Sequence, residues 1–382
     1  MNALRLLADD LTGALDTAAE FAAASPVATF WHGGLPASVP PSAAIDSGTR
    51  ESTEDAARTV VAALAPLLTA GLTPRLTADE PGSIAFKKID SLIRGQTLAE
   101  LAACLPGWTR CVLAPAFPAQ GRITRGGRQH ARAEAGWQPV GPHLVTALRG
   151  MGLAAQPGVP GQPLPPGISV FDAEDDAALD AVAATARAEA VLWCGTGGLA
   201  RALAHATAGR DAACSPLLPG PLLGLFGSDQ PATFAQLRAC APYWTHLAED
   251  SAHDLAARLQ DGVALVSIDL PPGLPRAAAA ARIGTALHGL ARALPRPGTL
   301  LVAGGETLRG LCLALGASHL EVQGRILPGL PRAILRGGAW DGVTIVSKSG
   351  AFGPPGLFRD LLARNGFPAN QHASAPHQGP AA

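Results

Sequence analysis

The chain has 382 residues, of which 48% are hydrophobic, 15% charged and 4% aromatic, and its formal net charge is −1. That length points to two domains with ample core material. The balanced charge argues against a general nucleic-acid or membrane-surface binder, and the scarcity of aromatics argues against base stacking. The six cysteines (104, 111, 194, 214, 240 and 312) form no Cys-x-x-Cys pair and no zinc-spaced cluster, so no metal site is expected. Free thiols, no expected signal peptide and no apolar run near the roughly 20 residues of a membrane span together predict a cytoplasmic location.

Leu4–Ala8 reads as a strand that ends on Asp9-Asp10-Leu11-Thr12-Gly13-Ala14 and leads into an alanine-rich helix reaching about Ala24. Adjacent carboxylates at a strand end repel one another unless a cation or a hydroxylated ligand shares them. Asp10 or Thr12 is also a natural N-cap, and capping and ligand binding can coexist. Strands follow at Val27–Trp31 and Ala43–Ile45, the latter running into Asp46-Ser47-Gly48-Thr49-Arg50, and then a helix over about 53–68. Ile84–Lys87 is a fourth strand, after which Lys88, Asp90, Ser91 and Arg94 gather within seven residues. The competing reading there is a salt-bridged helix start capped by Ser91.

The fifth strand, Cys111–Ala114, enters a stretch to about Pro166 rich in Gly, Pro and Arg, including Arg122, Arg125, Arg128 and Arg132. It is expected to be irregular, either a basic lid over an acidic substrate or a solvated loop. Further on, Val191–Trp193 leads to Gly195-Thr196-Gly197-Gly198-Leu199-Ala200, a match to the dinucleotide fingerprint. The acidic residue expected about 20 positions later is missing, which leaves an NAD-dependent oxidoreductase as an alternative only. Residues 205–220 read as a linker.

The second half repeats the strand–helix alternation. Leu222–Phe226 ends on Gly227-Ser228, Ala264–Ile268 is a strand, a helix covers about 276–294, and Thr299–Ala303 ends on Gly304-Gly305-Glu306-Thr307. Gly342–Val346 empties into Ser347-Lys348-Ser349-Gly350-Ala351-Phe352-Gly353. Glycine turns at strand ends let backbone N–H groups approach a phosphate, and a following helix adds the positive end of its dipole. Only three lysines occur, Lys87, Lys88 and Lys348, all at strand ends beside Gly or Ser turns, either as ligands for an anion or as solvated surface groups. No Walker A motif is present. Residues 367–382 read as a polar tail.

These motifs, together with Phe86-Lys87-Lys88-Ile89-Asp90-Ser91, Pro115-Ala116-Phe117-Pro118 and Pro328-Gly329, resemble in order those of the four-carbon acid sugar kinase family. The fold expected is two three-layer α/β domains with mostly parallel sheets and an active site in the interdomain cleft. The resemblance implies a sugar-acid-binding domain over 1–210 and an ATP-binding domain over 218–366. The implied reaction is phosphoryl transfer from ATP, with Mg²⁺, to the terminal hydroxyl of 3-oxo-tetronate, threonate or erythronate. Asp9, Asp10, Lys88, Asp90, Ser91, Arg94 and Arg122 would face the sugar acid. Gly227, Ser228, Gly304, Gly305, Glu306, Thr307, Lys348, Gly350, Phe352 and Gly353 would face ATP. Asp10, or else Asp90, would orient or deprotonate the hydroxyl, and Lys348 would meet the transferred phosphate. The family usually has Asp-Ser-Thr-Leu-Arg-Gly-Asn where this chain has Asp90-Ser91-Leu92-Ile93-Arg94-Gly95-Gln96, and often a threonine in place of Ile123. Those departures widen the substrate range to a branched relative such as 3-oxo-isoapionate, and leave a catalytically silent sensor as a further alternative. No nucleic acid or membrane partner is expected, and the oligomeric state, including a homodimer, is left open.

Overall fold

The computed structural model describes residues 3–70, 83–185, 190–208, 212–227, 230–247, 252–268, 273–274 and 276–368. The chain divides into two compact units, Met1–Cys214 with Gly316–Gly342, and Ser215–Leu315 with Val343–Ala382. Each is an α/β unit around a mostly parallel sheet.

The first unit is built on β1 (Leu4–Ala8), α1 (Leu11–Phe21), β2 (Val27–Trp31), β3 (Ala43–Asp46), α2 (Glu54–Leu64), β4 (Ile84–Lys88), α3 (Thr97–Cys104) and β5 (Arg110–Ala114). The run of apolar residues in β1, β3, β4 and β5 is what a parallel strand covered on both faces requires. Leu7, Ile45, Leu101, Leu113 and Leu192 meet in one core cluster. Parallel pairing runs β2–β3–β1–β4, with Leu7 beside Ile45 on one side and Lys87 on the other. The carboxyl ends of β3, β1 and β4 are therefore neighbours.

The stretch expected to be irregular after Ala114 is instead structured. β6 (Arg122–Arg125), β7 (Arg128–Ala133) and β8 (Gly136–His143) form a separate antiparallel sheet. The Gly126-Gly127 turn, with φ of 58° and 67°, suits the tight hairpin between β6 and β7, which side chains other than glycine rarely allow. Gln129 is fully buried and ties this sheet to the unit through Pro115 O and Ser91 O, at 2.8 and 2.9 Å. There follow α4 (Leu144–Gly150), β9 (Ala155–Pro157), β10 (Gly167–Val170), α5 (Asp176–Thr185), β11 (Leu192–Gly195) and α6 (Gly197–Ala208), so residues 205–208, expected as linker, are helical. β11 lies between β4 and β5.

The second unit runs β12 (Leu222–Phe226), α7 (Pro231–Arg238), β13 (Trp244–His246), α8 (Ala252–Gln260), β14 (Val263–Ser267), α9 (Arg276–Ala293), β15 (Thr299–Ala303) and α10 (Gly305–Ala314). The chain then gives β16 (His319–Leu327) and β17 (Leu330–Arg336) to the first unit, and returns with β18 (Thr344–Lys348) and α11 (Leu357–Arg364). The unbroken span 218–366 expected from the sequence is thus interrupted in the structure, where 316–342 counts with the first unit. The β16–β17 hairpin joins the first unit because β16 pairs antiparallel with β2, Leu320 against Thr29 and Val322 against Val27. The second sheet is wholly parallel, in the order β13–β14–β12–β15–β18. Residues 369–382, read above as a tail, lie outside the described residues. Among the described residues no helix is long and apolar enough to cross a membrane.

Beneath the carboxyl end of β4 lies a buried ion pair. Lys87 Nζ is 2.8 Å from Glu100 Oε2 and the two side chains are 0% and 1% exposed. Thr49 donates to Glu100 Oε1 at 2.7 Å, and Lys87 also donates to Lys88 O. Burial opposes the lysine charge, but Glu100 outweighs it and holds Lys87 above its ordinary value. Removing one partner strands the other charge in the core, so Glu100→Leu should cost about 3–5 kcal/mol, read from the urea midpoint. The double variant Lys87→Met/Glu100→Leu should recover most of that loss.

Candidate active site

The loops after β3, β1 and β4 bring five charged groups together. Asp9 and Asp10 close β1, and Asp10 caps α1, accepting from Gly13 N at 3.0 Å and from the Thr12 hydroxyl at 2.6 Å. Gly13 is needed here, because a methyl group on it would lie 2.5 Å from Asp10 Oδ1 and 3.1 Å from Lys88 Nζ. The Arg50 guanidinium, 13% exposed, is the hub. Its Nε and Nη2 both bond Asp9, its Nη2 lies 2.9 Å from Asp10 Oδ1, and its Nη1 lies 3.2 Å from Asp90 Oδ1. Asp90 also receives a two-pronged contact from Arg94 at 2.7 and 2.8 Å and the backbone N–H groups of Leu92 and Arg94, each at 3.1 Å.

The electrostatics follow from these bonds. Burial alone would raise the Asp9 carboxyl, but the Arg50 guanidinium beside it holds it below the usual range. At Asp90 burial is likewise overridden, by the Arg94 hydrogen bonds and the Arg50 charge, and the carboxyl stays well below its ordinary value. Burial works against the Arg50 charge as well, and Asp10 and Asp9 reverse it. Both aspartates are therefore fixed anions. Ile93, held at φ 56°, is the one non-glycine residue with positive φ among the described residues. A β-branched side chain there is strained, and the grip of Asp90 on the Leu92 and Arg94 amides maintains that turn.

Of the residues expected to face the sugar acid, Asp9, Asp10, Lys88, Asp90 and Arg94 converge. Ser91 contributes its carbonyl to Gln129 and does not cap a helix, since α3 begins at Thr97. Lys88 Nζ donates to Ile89 O at 2.7 Å. Arg122 Nη1 donates to Gln120 O and Gly121 O, while its Nε is buried without a partner, and its charge is felt by Asp90 and Arg94. Neither Lys88 nor Arg122 has a carboxylate within ion-pair distance among the described residues. Arg50 was not singled out from the sequence. The available signal was its place directly after a strand and Gly48, level with the acidic turn after β1.

In the second unit the ends of β12, β15 and β18 adjoin. Gly304, at φ 99°, turns β15 into α10, and its N–H donates to Lys348 O at 2.9 Å. A methyl group on Gly227 would lie 2.8 Å from Thr307 Oγ1, so those two turns touch. Ser228, also expected at the nucleotide, lies outside the described residues. The loop after β18 is held from inside. Lys348, 1% exposed, donates to Ser349 O, Gly350 O and Thr233 Oγ1, each at 3.0 Å. Thr233 donates to Gly350 O at 2.7 Å, and Gln236 Nε2 donates to the carbonyls of Phe352, Gly353 and Pro354 at 3.0, 3.0 and 3.1 Å. A trans peptide points its C=O and the next N–H in opposite directions. Drawing the carbonyls of 349, 350 and 352 inward therefore turns the N–H groups of Gly350, Ala351 and Gly353 outward. Lys348 was expected to meet a phosphate itself; its ammonium is instead fully engaged beneath the loop. Burial pushes it down to about 7.

The Gly195–Gly198 turn offers no such opening. Residues 191–200 are all buried, and methyl groups on Gly197 and Gly198 would run into Phe117 at 2.9 Å and Ala116 O at 2.6 Å. Thr196 donates to Ala116 O at 2.6 Å. The glycines serve close packing of α6 against the loop after β5, not a dinucleotide.

Comparison with known proteins identifies the family. Residues 4–149 match the sugar-binding N-terminal domain and residues 223–358 the nucleotide-binding C-terminal domain. A D-threonate kinase of Bordetella bronchiseptica is 31% identical over 94% of this chain and 95% of its own length. The chain belongs to the four-carbon acid sugar kinase family. A D-threonate kinase of Cupriavidus necator is also 31% identical, over 70% of this chain and 76% of its own. A Salmonella typhimurium LT2 structure shares the fold at 19% identity, with a TM-score of 0.68 over 95% of this chain and 99% of its own.

The fixed aspartates predict an acid limit to stability. A carboxyl depressed on folding stabilises above its unfolded value of about 4, and that contribution is lost as pH falls below it. The urea midpoint should accordingly drop between about pH 4 and pH 2. Asp90→Asn should lower stability at pH 7 by roughly 2–3 kcal/mol, through the lost charge-assisted bonds, and flatten that acid dependence.

Proposed function

We propose that this chain is an ATP-dependent kinase that phosphorylates the terminal hydroxyl of a four-carbon sugar acid, with D-threonate the first substrate to test. The observation that carries the reading is the pair of cations, Lys88 and Arg122, which among the described residues have no carboxylate within ion-pair distance and lie beside aspartates already bonded to Arg50. An anionic ligand would complete that charge balance, and a guanidinium with an unpartnered buried Nε is suited to a carboxylate. Asp90, held ionised, and Asp10 beside it offer acceptors to the hydroxyls of a polyol chain.

ATP fits the second unit. The N-terminus of α10 and the outward N–H groups of Gly350, Ala351 and Gly353 form a backbone cradle for phosphates, with no positive side chain needed at its surface. Mg²⁺ would enter with ATP, bound largely by phosphate and water, and would neutralise the charge of the transferred group. Lys348, Thr233 and Gln236 would act by fixing the cradle.

ADP release with Mg-ATP should be measured across D- and L-threonate, D- and L-erythronate, their 3-oxo-tetronates and 3-oxo-isoapionate. Turnover of at least one is expected; silence with every acid would overturn the reading. Arg122→Gln should raise KM for the acid about tenfold or more and leave KM for ATP unchanged. Lys348→Met should do the reverse, weakening ATP binding while the acid still protects the protein against thermal unfolding.

A further inference from the structure

A fourth carboxylate stands at the sugar-acid cluster, and neither the expected site nor the bonds described so far account for it. Asp16 lies on α1, six residues beyond Asp10. Thr12, Asp16 and Glu20 recur every fourth residue and so share one face of the helix. At one end of that stripe Thr12 is tied to Asp10. At the other, Glu20 pairs with Arg325 at 2.8 Å, both buried. Asp16 sits between them, half-buried. A methyl group on Gly197 would lie 2.9 Å from Asp16 Oδ2, so the start of α6 closes over one side of the carboxylate.

The groups that face Asp16 come from each element around it. Lys88 comes from the end of β4, Asp10 from the start of α1, Arg325 from β16, and the Gly329 N–H from the turn of the β16–β17 hairpin. Of these groups the Gly329 amide alone acts as a hydrogen-bond donor and not as a charge. Asp9, Asp10 and Asp90 each accept from two or more donors. Asp16 is near the same cluster and lacks them.

We propose that Asp16 is the proton acceptor of the kinase reaction, which rests on the function proposed above. The substrate O–H bond breaks and its proton passes to the Asp16 carboxylate. The hydroxyl oxygen bonds the γ-phosphorus of ATP, the bond from that phosphorus to the β-phosphate oxygen breaks, and ADP leaves. Asp16 then returns the proton to water. Burial raises this carboxyl, the Lys88 charge opposes that, Asp10 adds to it, and the result is about 6. A base poised there is deprotonated at neutral pH yet still takes a proton readily, whereas Asp9 and Asp90 are too weakly basic. Lys88, bordering both Asp10 and Asp16, would favour the acid in the position where its hydroxyl reaches Asp16.

The competing role is structural, with Asp16 as fastener of the hairpin turn. Asn retains the carbonyl that the Gly329 N–H needs, so Asp16→Asn separates the two. The experiment is kcat against pH for the wild type, Asp16→Asn and Asp16→Glu, with the acid that turns over best. Binding of that acid is followed by calorimetry. Wild-type kcat should fall below about pH 6, the range of this carboxyl. Asp16→Asn should lose about 100-fold or more in kcat, the usual range for a general base, with acid affinity changed less than about threefold and the acid limb gone. Asp16→Glu should retain an intermediate rate and a displaced limb. Wild-type turnover with Asp16→Asn within about fivefold of it, or with the limb intact in that variant, would overturn the role of Asp16 and leave the kinase reading standing. Silence of the wild type on every acid would overturn both. Should Asp16→Asn not fold, a wild-type profile without an acid limb, or an unshifted limb in Asp16→Glu, would be decisive against the proposal.

Discussion

One guanidinium holds the sugar-acid cluster together. Asp9, Asp10 and Asp90 approach the same point from two strand ends, and three carboxylates there would otherwise take up protons or push the loops apart. Arg50 bonds all three, from the end of the strand on the other side of β1. That contact is possible only because β3, β1 and β4 are consecutive in the sheet and in register. The Lys87–Glu100 pair, reached by Thr49 from the Arg50 loop, secures the same strand ends from below. Register, buried ion pair and charge cluster form one connected arrangement.

The two units solve the placement problem alike. The order β2–β3–β1–β4 in the first is repeated as β13–β14–β12–β15 in the second, strand for strand in chain order. In each, the chain winds to one side of its first strand and then crosses to the other, and the switch point opens between first and fourth strands. Asp9-Asp10 and Lys88–Asp90 border it in one unit, Gly227 and Gly304–Thr307 in the other. The chemistry placed there differs. Side-chain charges suit a small polyhydroxylated acid whose hydroxyls must be told apart. Backbone amides suit a polyphosphate, which asks for many similar donors.

Much of this was legible in the sequence. The central strands were, because each is a short apolar run bounded by Gly, Pro or Asp, and the charged turns were, because they follow those runs directly. The hairpins were not. β7 and β8 are largely exposed and carry Arg, Gln and Pro, so they lack the pattern of a core strand, and only Gly126-Gly127 marked the turn. β16 alternates Leu320 and Val322 with Glu321 and Gln323, but its partner β2 lies nearly 300 residues away along the chain. No local pattern can name such a partner. The same limit hid Arg50, whose role depends on strand order, and the inward direction of Lys348, which depends on α7 supplying Thr233 beside it.

The loop after β18 shows why buried polar groups are retained where apolar ones would pack more stably. Lys348, Thr233 and Gln236 are all within the protein, and a buried ammonium there is costly enough to lower its proton affinity. An apolar cluster in their place would leave the carbonyls of 350, 352 and 353 unpaired, or free to turn outward. Outward carbonyls would present negative dipoles where the Gly350, Ala351 and Gly353 amides now stand. The sign of the potential at this loop is thus set from beneath, by side chains that need never touch a ligand. Pro354 and Pro355 complete the logic. The carbonyls of Gly353 and Pro354 are also drawn inward, and the residues after them have no N–H, so those two peptides direct no donor outward.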